Sequence, residues 1–336
     1  MVQWEDEILK VSLKKVRYNM PENRTRRLTH GAMMVAIFTV LLAVSTYIPL
    51  TSILITWVLP LPIAWYSAKY NMSSSVAVTI AGIMLSFIVG GGFLALPVAF
   101  MYAVIGLVLG TMLRLKKNKA TIFLATSGAI LATFAIVYFA FVKILNINII
   151  QQTLDLSMQS FDTSRKMMEA SNVPADQLAS FEKQLELMEK TATYLVPSLL
   201  VFAVLGIAFI ILAVNLPLLK RLKLEVPKFK PFRYMQLPRS ILWYYFIVLI
   251  ISLFVRPEEG TYLYVAILNL SSILTMLLAL QGLSLIHFFI LEKGMPKGVV
   301  VIATIIALPF LQFVSLIGLV DLGFNVRGFI TGETKK

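Results

Sequence analysis

Side chains able to do covalent chemistry are scarce in this chain, and what remains suits recognition better than reaction. There is no cysteine, which removes disulfides, thiolate nucleophiles, Cys-based zinc sites and iron–sulfur clusters. The two histidines, His30 and His287, lie far apart and fit no metal-ligand spacing. The signatures of a phosphate-cradling loop, a zinc protease helix and a serine nucleophile elbow are missing as well. The expectation is a protein that is not an enzyme and carries neither a metal nor a cofactor.

The residues suited to non-covalent binding are more suggestive. Trp57, Pro60, Pro62 and Trp65 fall within nine residues. Two prolines remove backbone donors and kink a helix, freeing carbonyls at membrane depth, and the indoles add apolar faces and N–H donors. Gly90, Gly91 and Gly92 follow at the end of a later apolar run, where backbone can come close to a ligand. Together they predict an outward-opening cavity for a small, partly aromatic molecule. The plainer reading is an interfacial tryptophan pair and a permissive turn before Pro97. Ala32 and Ala36, one helical turn apart, would allow close helix contact. Asn215, Asn269, Gln281, His287 and Gln312 are the polar residues inside apolar runs, and they suit hydrogen bonding between helices.

The elements that position these residues are written in the charge pattern. Between Leu28 and Leu113 the only formally charged residue is Lys69. A water-facing domain cannot cover itself with so few polar groups, so the solvent of this stretch is lipid. Hydrophobic residues make up 58% of the chain and the mean hydropathy is +0.83. The expected fold is all-α, a polytopic transmembrane bundle of about nine spans at 28–50, 52–69, 72–92, 94–114, 120–145, 192–219, 239–256, 261–291 and 298–320. The first apolar run is long enough to act as an anchor rather than a cleaved signal. So bounded, the spans contain no Asp or Glu, which disfavours proton-coupled transport through a buried carboxylate.

The net charge of +13 points to cytoplasmic flanks rather than to nucleic acid. With the N-terminus inside, 21 of the 30 Lys and Arg residues fall on inside segments and eight on outside ones, which favours that orientation in a cell membrane. An odd span count puts the C-terminus outside, although Arg327, Lys335 and Lys336 would suit the inside. Pro309 marks a place where the last apolar stretch could split.

Three segments lie outside the spans. Residues 1–27 are charged and amphipathic, as expected of a helix on the membrane surface. Residues 146–190 carry seven acidic and four basic residues, with apolar positions at helical spacing: Ile150, Leu154, Met158, Phe161, Met168, then Leu178, Phe181, Leu185 and Met188. They predict an extracytoplasmic helical hairpin turning near Asn172–Pro174. The basic stretch 220–238 spaces prolines with Phe229, Phe232 and Tyr234, as an interfacial loop on anionic headgroups does. Residues 239–323 would form the C-terminal spans and 324–336 a tail.

Several short motifs resemble the YybS family of uncharacterised bacterial membrane proteins. They are Arg26-Arg27-Leu28-Thr29-His30-Gly31-Ala32, Leu237-Pro238, Asn269-Leu270, Gln281-Gly282-Leu283, and Gly318-Leu319-Val320-Asp321 with Arg327. The resemblance runs from about residue 24 to the end. It implies a first six-helix core (28–219) similar to the substrate-binding S component of energy-coupling-factor transporters, with three spans added. In such components small residues placed as Ala32 and Ala36 contact the transmembrane coupling subunit.

Two functions follow as expectations. One is a protein that binds or transports a small molecule through the S-component-like core. The other is a non-transporting scaffold or regulator that holds a membrane or cytoplasmic protein partner through the outer hairpin or the basic loop. A cavity would favour the first and a solidly packed bundle the second.

Overall fold

The computed structural model describes residues 24–171, 174–227 and 231–331. The surface helix expected over residues 1–27 therefore lies outside the described residues up to position 23, as do two residues of the hairpin turn. Among the described residues seven helices are long and apolar enough to cross a membrane. An eighth, at Ser240–Phe254, is apolar but shorter, and the broken pair Pro49–Val58 and Leu61–Lys69 occupies the second expected span. Each of the nine expected spans is thus matched by a helix or a broken pair, and no strand occurs among the described residues. The chain forms two compact units, Met1–Ile149 with Val204–Pro227, and Ile150–Ala203 with Lys228–Lys336.

The first unit contains α1 (Arg24–Tyr47), α2 (Pro49–Val58), α3 (Leu61–Lys69), α4 (Met72–Val89), α5 (Ala95–Arg114) and α6 (Lys119–Ile144). The end of α8 (Ala175–Arg221) completes it. Asparagines set two of the starts: Asn71 accepts the Ser74 N–H at 3.1 Å and Asn118 accepts that of Thr121 at 2.9 Å. Each satisfies a donor that the first helical turn cannot pair internally. The α2–α3 break falls at Pro60 and Pro62, which lack the N–H groups needed to continue the ladder.

Against that break α5 presents Gly106 and Gly110. A methyl group on Gly106 would meet the Pro60 carbonyl at 2.6 Å, and one on Gly110 would strike the Ala64 carbonyl. Glycine at this spacing lets two backbones touch in lipid, where close packing rather than water expulsion holds helices together. Ala64, Leu109, Leu113, Ile122, Leu212, Leu216 and Leu219 form the core at one end of this unit.

The second unit contains α7 (Ile149–Ala170), the first part of α8, α9 (Ser240–Phe254), α10 (Tyr262–Glu292), α11 (Lys297–Ala307), α12 (Leu311–Phe324) and α13 (Val326–Thr331). Arg165 on α7 pairs with Glu182 on α8 at 3.0 Å. Met158, Phe161, Met168, Leu178, Phe181 and Leu185 are all half-buried between exposed neighbours, which is the geometry of paired amphipathic helices. Pro309 sits in a 3-10 turn, Leu308–Phe310, that divides α11 from α12. The long run at 261–291 is by contrast one unbroken helix.

Helix α10 is the axis of this unit. Gly282 on α10 and Gly318 on α12 meet where an added methyl would collide with the opposing backbone, at the Val314 and Leu278 carbonyls respectively. Ile241, Val248, Leu274, Leu278 and Leu322 pack around that crossing. α10 holds 31 residues and α9 only 15, about 46 Å against about 22 Å at the helical rise.

Candidate functional site

In the first unit the residues expected to form a cavity are not brought together. Trp65 stacks edge-on with His30 at 5.5 Å, near the start of α1, and Lys69 lies 4.0 Å over its ring. Gly90 packs on Leu42, near the other end of α1. His30 and Leu42 are twelve residues apart, about 18 Å along the helix. Trp57 is half-buried. The Trp57 carbonyl at the proline break is taken by Asn215, whose Nδ2 donates to it at 2.8 Å. Pro60 and Pro62 are buried, the Pro60 carbonyl against Gly106 of α5. Phe38, Leu42 and Ile63 fill the interior with no exposed surface.

The glycine turn is used as a turn. Gly91 (φ 99°) and Gly92 (φ 75°) take left-handed conformations that other residues rarely adopt. Tyr47 donates to the Val89 carbonyl beside them at 3.2 Å. Ala32 and Ala36 are exposed on α1, alongside Met33, Ile37 and Val40. They make no close helix contact within the unit, which the α5 glycines do instead.

The interior of this unit is unexpectedly polar. The buried residues of α4 are Ser75, Thr79, Gly82 and Ser86, at helical spacing, while Ile80, Met84, Leu85, Phe87 and Ile88 face outward. The hydroxyls of Ser75 and Thr79 donate back to carbonyls one turn earlier. Thr39 Oγ1, Ser67 Oγ, Ser86 Oγ, Thr126 Oγ1 and Asn215 Oδ1 are sealed and have no hydrogen-bond partner among the described residues. Burial of an unpaired polar atom costs about 1–3 kcal/mol.

The second unit holds the most concentrated polar chemistry. Helix α12 continues past the expected end at residue 320 and buries Asp321, so the expectation of spans without carboxylates is corrected here. Asn325, at φ 51°, ends the helix in the left-handed form that short amide side chains tolerate. The reversal sends Arg327 back, and its Nε donates to Asp321 Oδ2 at 3.1 Å. Only 6% and 2% of the two side chains are exposed. An ion pair buried this deeply needs further hydrogen bonds, and three neighbours supply them. Gln281 Nε2 donates to the same Asp321 oxygen at 2.6 Å. Arg327 Nη1 donates to the Arg233 carbonyl at 2.7 Å and Nη2 to Ser284 Oγ at 3.0 Å.

This network carries a stretch of irregular backbone. Ser284 Oγ donates to the carbonyls of Phe232 and Met235 at 2.8 and 3.1 Å. The Leu237 N–H donates to Gln281 Oε1 at 3.0 Å. Residues 231–238 lie along α10, with Phe232 against His287 at 5.2 Å and Tyr234 against Phe288 at 6.1 Å. From Gln281 the helix runs eleven residues further to Glu292, about 16 Å. Non-helical backbone beside so apolar a helix persists only where protein groups satisfy it. Gln281, Ser284 and Arg327 do so.

The other polar residues serve the main chain too. Asn269 Nδ2 donates to the Tyr194 and Val265 carbonyls at 2.7 and 2.8 Å, and its Oδ1 accepts from the Ser198 N–H at 2.8 Å. His287 Nε2 contacts Thr304 Oγ1 at 2.8 Å. The threonine proton is committed to the Val300 carbonyl, so Nε2 is the donor. No group of three or more His, Asp or Glu side chains able to hold a metal occurs among the described residues.

Three of the five pieces of sequence that carry the family resemblance therefore converge in space. Leu237, Gln281, Asp321 and Arg327 belong to one hydrogen-bonded cluster, and Gly282 and Gly318 to the crossing beside it. Comparison with known proteins agrees. A family model described as "Predicted membrane protein (DUF2232)" matches residues 36–322. The chain is 32% identical over 312 residues to "Uncharacterized protein YybS" of Bacillus subtilis (strain 168), covering 90% of this chain and 98% of that one. No solved structure matches. The protein is an all-α, multi-pass integral membrane protein that sits in a lipid bilayer, and it belongs to this YybS-like family of uncharacterised membrane proteins.

Proposed function

We propose that the first unit binds a small molecule carrying several hydrogen-bonding groups, and that the protein works as a non-enzymatic binding or transport component. The observation that supports this most is the set of buried polar atoms in that unit, four hydroxyls and one amide oxygen sealed without partners among the described residues. Small serines and threonines on the inner face, with Ile80, Met84 and Ile88 toward lipid, serve close helix packing by themselves; polar atoms left unpaired go beyond that need, and a polar ligand would satisfy them. The ligand is more polar than the partly aromatic one that Trp57 and Trp65 suggest. An S-component-like core fits this reading, with the exposed Ala32–Ala36 face of α1 as the surface for a membrane partner.

Native mass spectrometry of the detergent-purified protein tests the reading. A co-purifying non-lipid mass is expected, weakened in Thr39→Val and Ser86→Ala. A protein free of such a mass, whose stability the two substitutions leave unchanged or raise, would overturn it. A second reading, a non-transporting scaffold, is favoured by the closed packing of Phe38, Leu42 and Ile63. Its partners would engage the α7–α8 hairpin or the basic loop.

A further inference from the structure

The buried network explains the carbonyl of Arg233 but leaves its side chain unexplained. Arg233 Nε is sealed from solvent and has no hydrogen-bond partner among the described residues. Its guanidinium lies 4.7 Å over the ring of Tyr234. An unpaired donor on a permanent cation is costlier to bury than a neutral one, so an anion is the natural complement. Among the described residues no carboxylate pairs with it, and Asp321 is committed to Arg327 and Gln281.

The surroundings identify the kind of anion. Arg233 stands between Phe232 and Tyr234, which are 38% and 44% exposed on a multi-pass membrane protein. Phe289 and Met295, near the end of α10, are exposed as well. Lys293 and Lys297 stand with Glu292 at the turn between α10 and α11, and Lys293 lies 5.9 Å over the ring of Phe289. Cations beside exposed aromatic and aliphatic surface match a headgroup phosphate with its acyl chains. The planar fork of arginine suits phosphate oxygens, and the aromatic face holds it in place.

We propose that Arg233, set between Phe232 and Tyr234 on the irregular segment beside α10, is the phosphate-binding residue of a specific anionic phospholipid site. The network of Asp321, Arg327, Gln281 and Ser284 fixes the main chain so that this guanidinium is presented in one orientation. The site belongs to the second unit and does not depend on the first unit binding a small molecule.

The test uses the full chain in detergent, titrated separately with phosphatidylglycerol, phosphatidylcholine of the same chains, and inorganic phosphate. Native mass spectrometry reads retained lipid, and thermal unfolding reads stabilisation. Phosphatidylglycerol is expected to be retained over phosphatidylcholine and to raise the unfolding midpoint. Arg233→Gln should weaken retention about tenfold, the scale of one lost charge-assisted contact, with Arg233→Lys between it and the wild type. Arg239→Gln removes the same charge from the same loop and should cost far less. Equal losses in Arg233→Gln and Arg239→Gln would reduce the effect to diffuse charge and overturn the proposal. So would competition by inorganic phosphate at equal potency, which would assign the site to free phosphate. Should Arg233→Gln not fold, equal retention of the two lipids by the wild type would still refute it.

Discussion

Asn269 splices the main chain of α8 at Ser198. Its carboxamide stands where the Ser198 N–H would meet the Tyr194 carbonyl, accepting from one and donating to the other at 2.8 and 2.7 Å. Pro197, the residue before, has no N–H of its own and crowds the preceding turn, so the helix opens there and a side chain 71 positions away closes it. Asn269→Leu should cost about 1–3 kcal/mol, because it strands two buried backbone groups. Thermal unfolding in detergent would show it, and an unchanged midpoint would mean that water replaces the amide freely.

The Asp321–Arg327 pair should behave as one unit. Removing either partner leaves a charge buried without compensation, which costs about 3–5 kcal/mol, whereas removing both is far milder. Asp321→Asn and Arg327→Gln should each lower stability sharply, and the double variant should recover much of the loss. A double-mutant cycle on unfolding midpoints measures this. Simple additivity would show that the two side chains act independently.

Gly282→Ala and Gly318→Ala should separate α10 from α12, since each added methyl meets main-chain atoms that cannot move aside. Gly206→Ala on α8 meets nothing within 4 Å and should be neutral or slightly stabilising, by less than about 1 kcal/mol. Monodispersity and unfolding midpoint of the three variants provide the comparison.

The one ion pair described between the α5–α6 turn and the end of α8 should contribute little. Lys116 and Glu225 approach to 2.8 Å but are 77% and 84% exposed. Their hydrogen bond holds Glu225 below its ordinary carboxylate range and raises Lys116 above its ordinary value. A depressed carboxylate contributes above its unfolded value near 4.5 and loses that contribution as the pH falls through the lower folded value. A raised lysine contributes below its unfolded value near 10.5 and loses it as the pH climbs through the higher folded one. Between pH 5 and 10 the pair is therefore fully formed, and Glu225→Gln should still leave the midpoint nearly unchanged in physiological salt.

Orientation is open to direct measurement because no native cysteine needs removal. Ser160→Cys on α7 should label from outside the cell, and Glu225→Cys, beyond the far end of α8, only after permeabilisation. The reverse pattern would invert the assignment drawn from the basic residues.

Helix positions were readable in this sequence because lipid imposes one simple demand, an unbroken apolar run of sufficient length. Pro60 and Pro309 announced the breaks for an equally local reason. The burial of Asp321 is not legible in the sequence because an apolar run ends at its first charge, whereas burial here depends on Arg327, returned by a left-handed turn at Asn325. An asparagine after an apolar helix is a recognised stop signal and could have prompted the search. Gly106 and Gly110 were legible as a small-residue motif, yet the exposed Ala32 and Ala36 drew notice instead. Trp65 and Gly90–Gly92 looked close because both flank prolines or turns in the sequence, but the length of α1 separates them. The pairing of Gly282 with Gly318 joins distant segments and leaves no local trace.

The shortness of α9 has a consequence for the surrounding lipid. Fifteen residues reach about 22 Å, some 8 Å less than the hydrocarbon thickness of an ordinary bilayer. Trp243, Tyr244, Leu253 and Phe254 are exposed along or near the two ends of that helix, and aromatic side chains favour the interfaces. The acyl chains at this edge of the protein must compress to meet them, at a cost of fractions of a kcal/mol per Å. Thin bilayers relieve that compression, so this edge draws shorter-chained lipids to itself and gives the molecule a preference among membranes of different thickness.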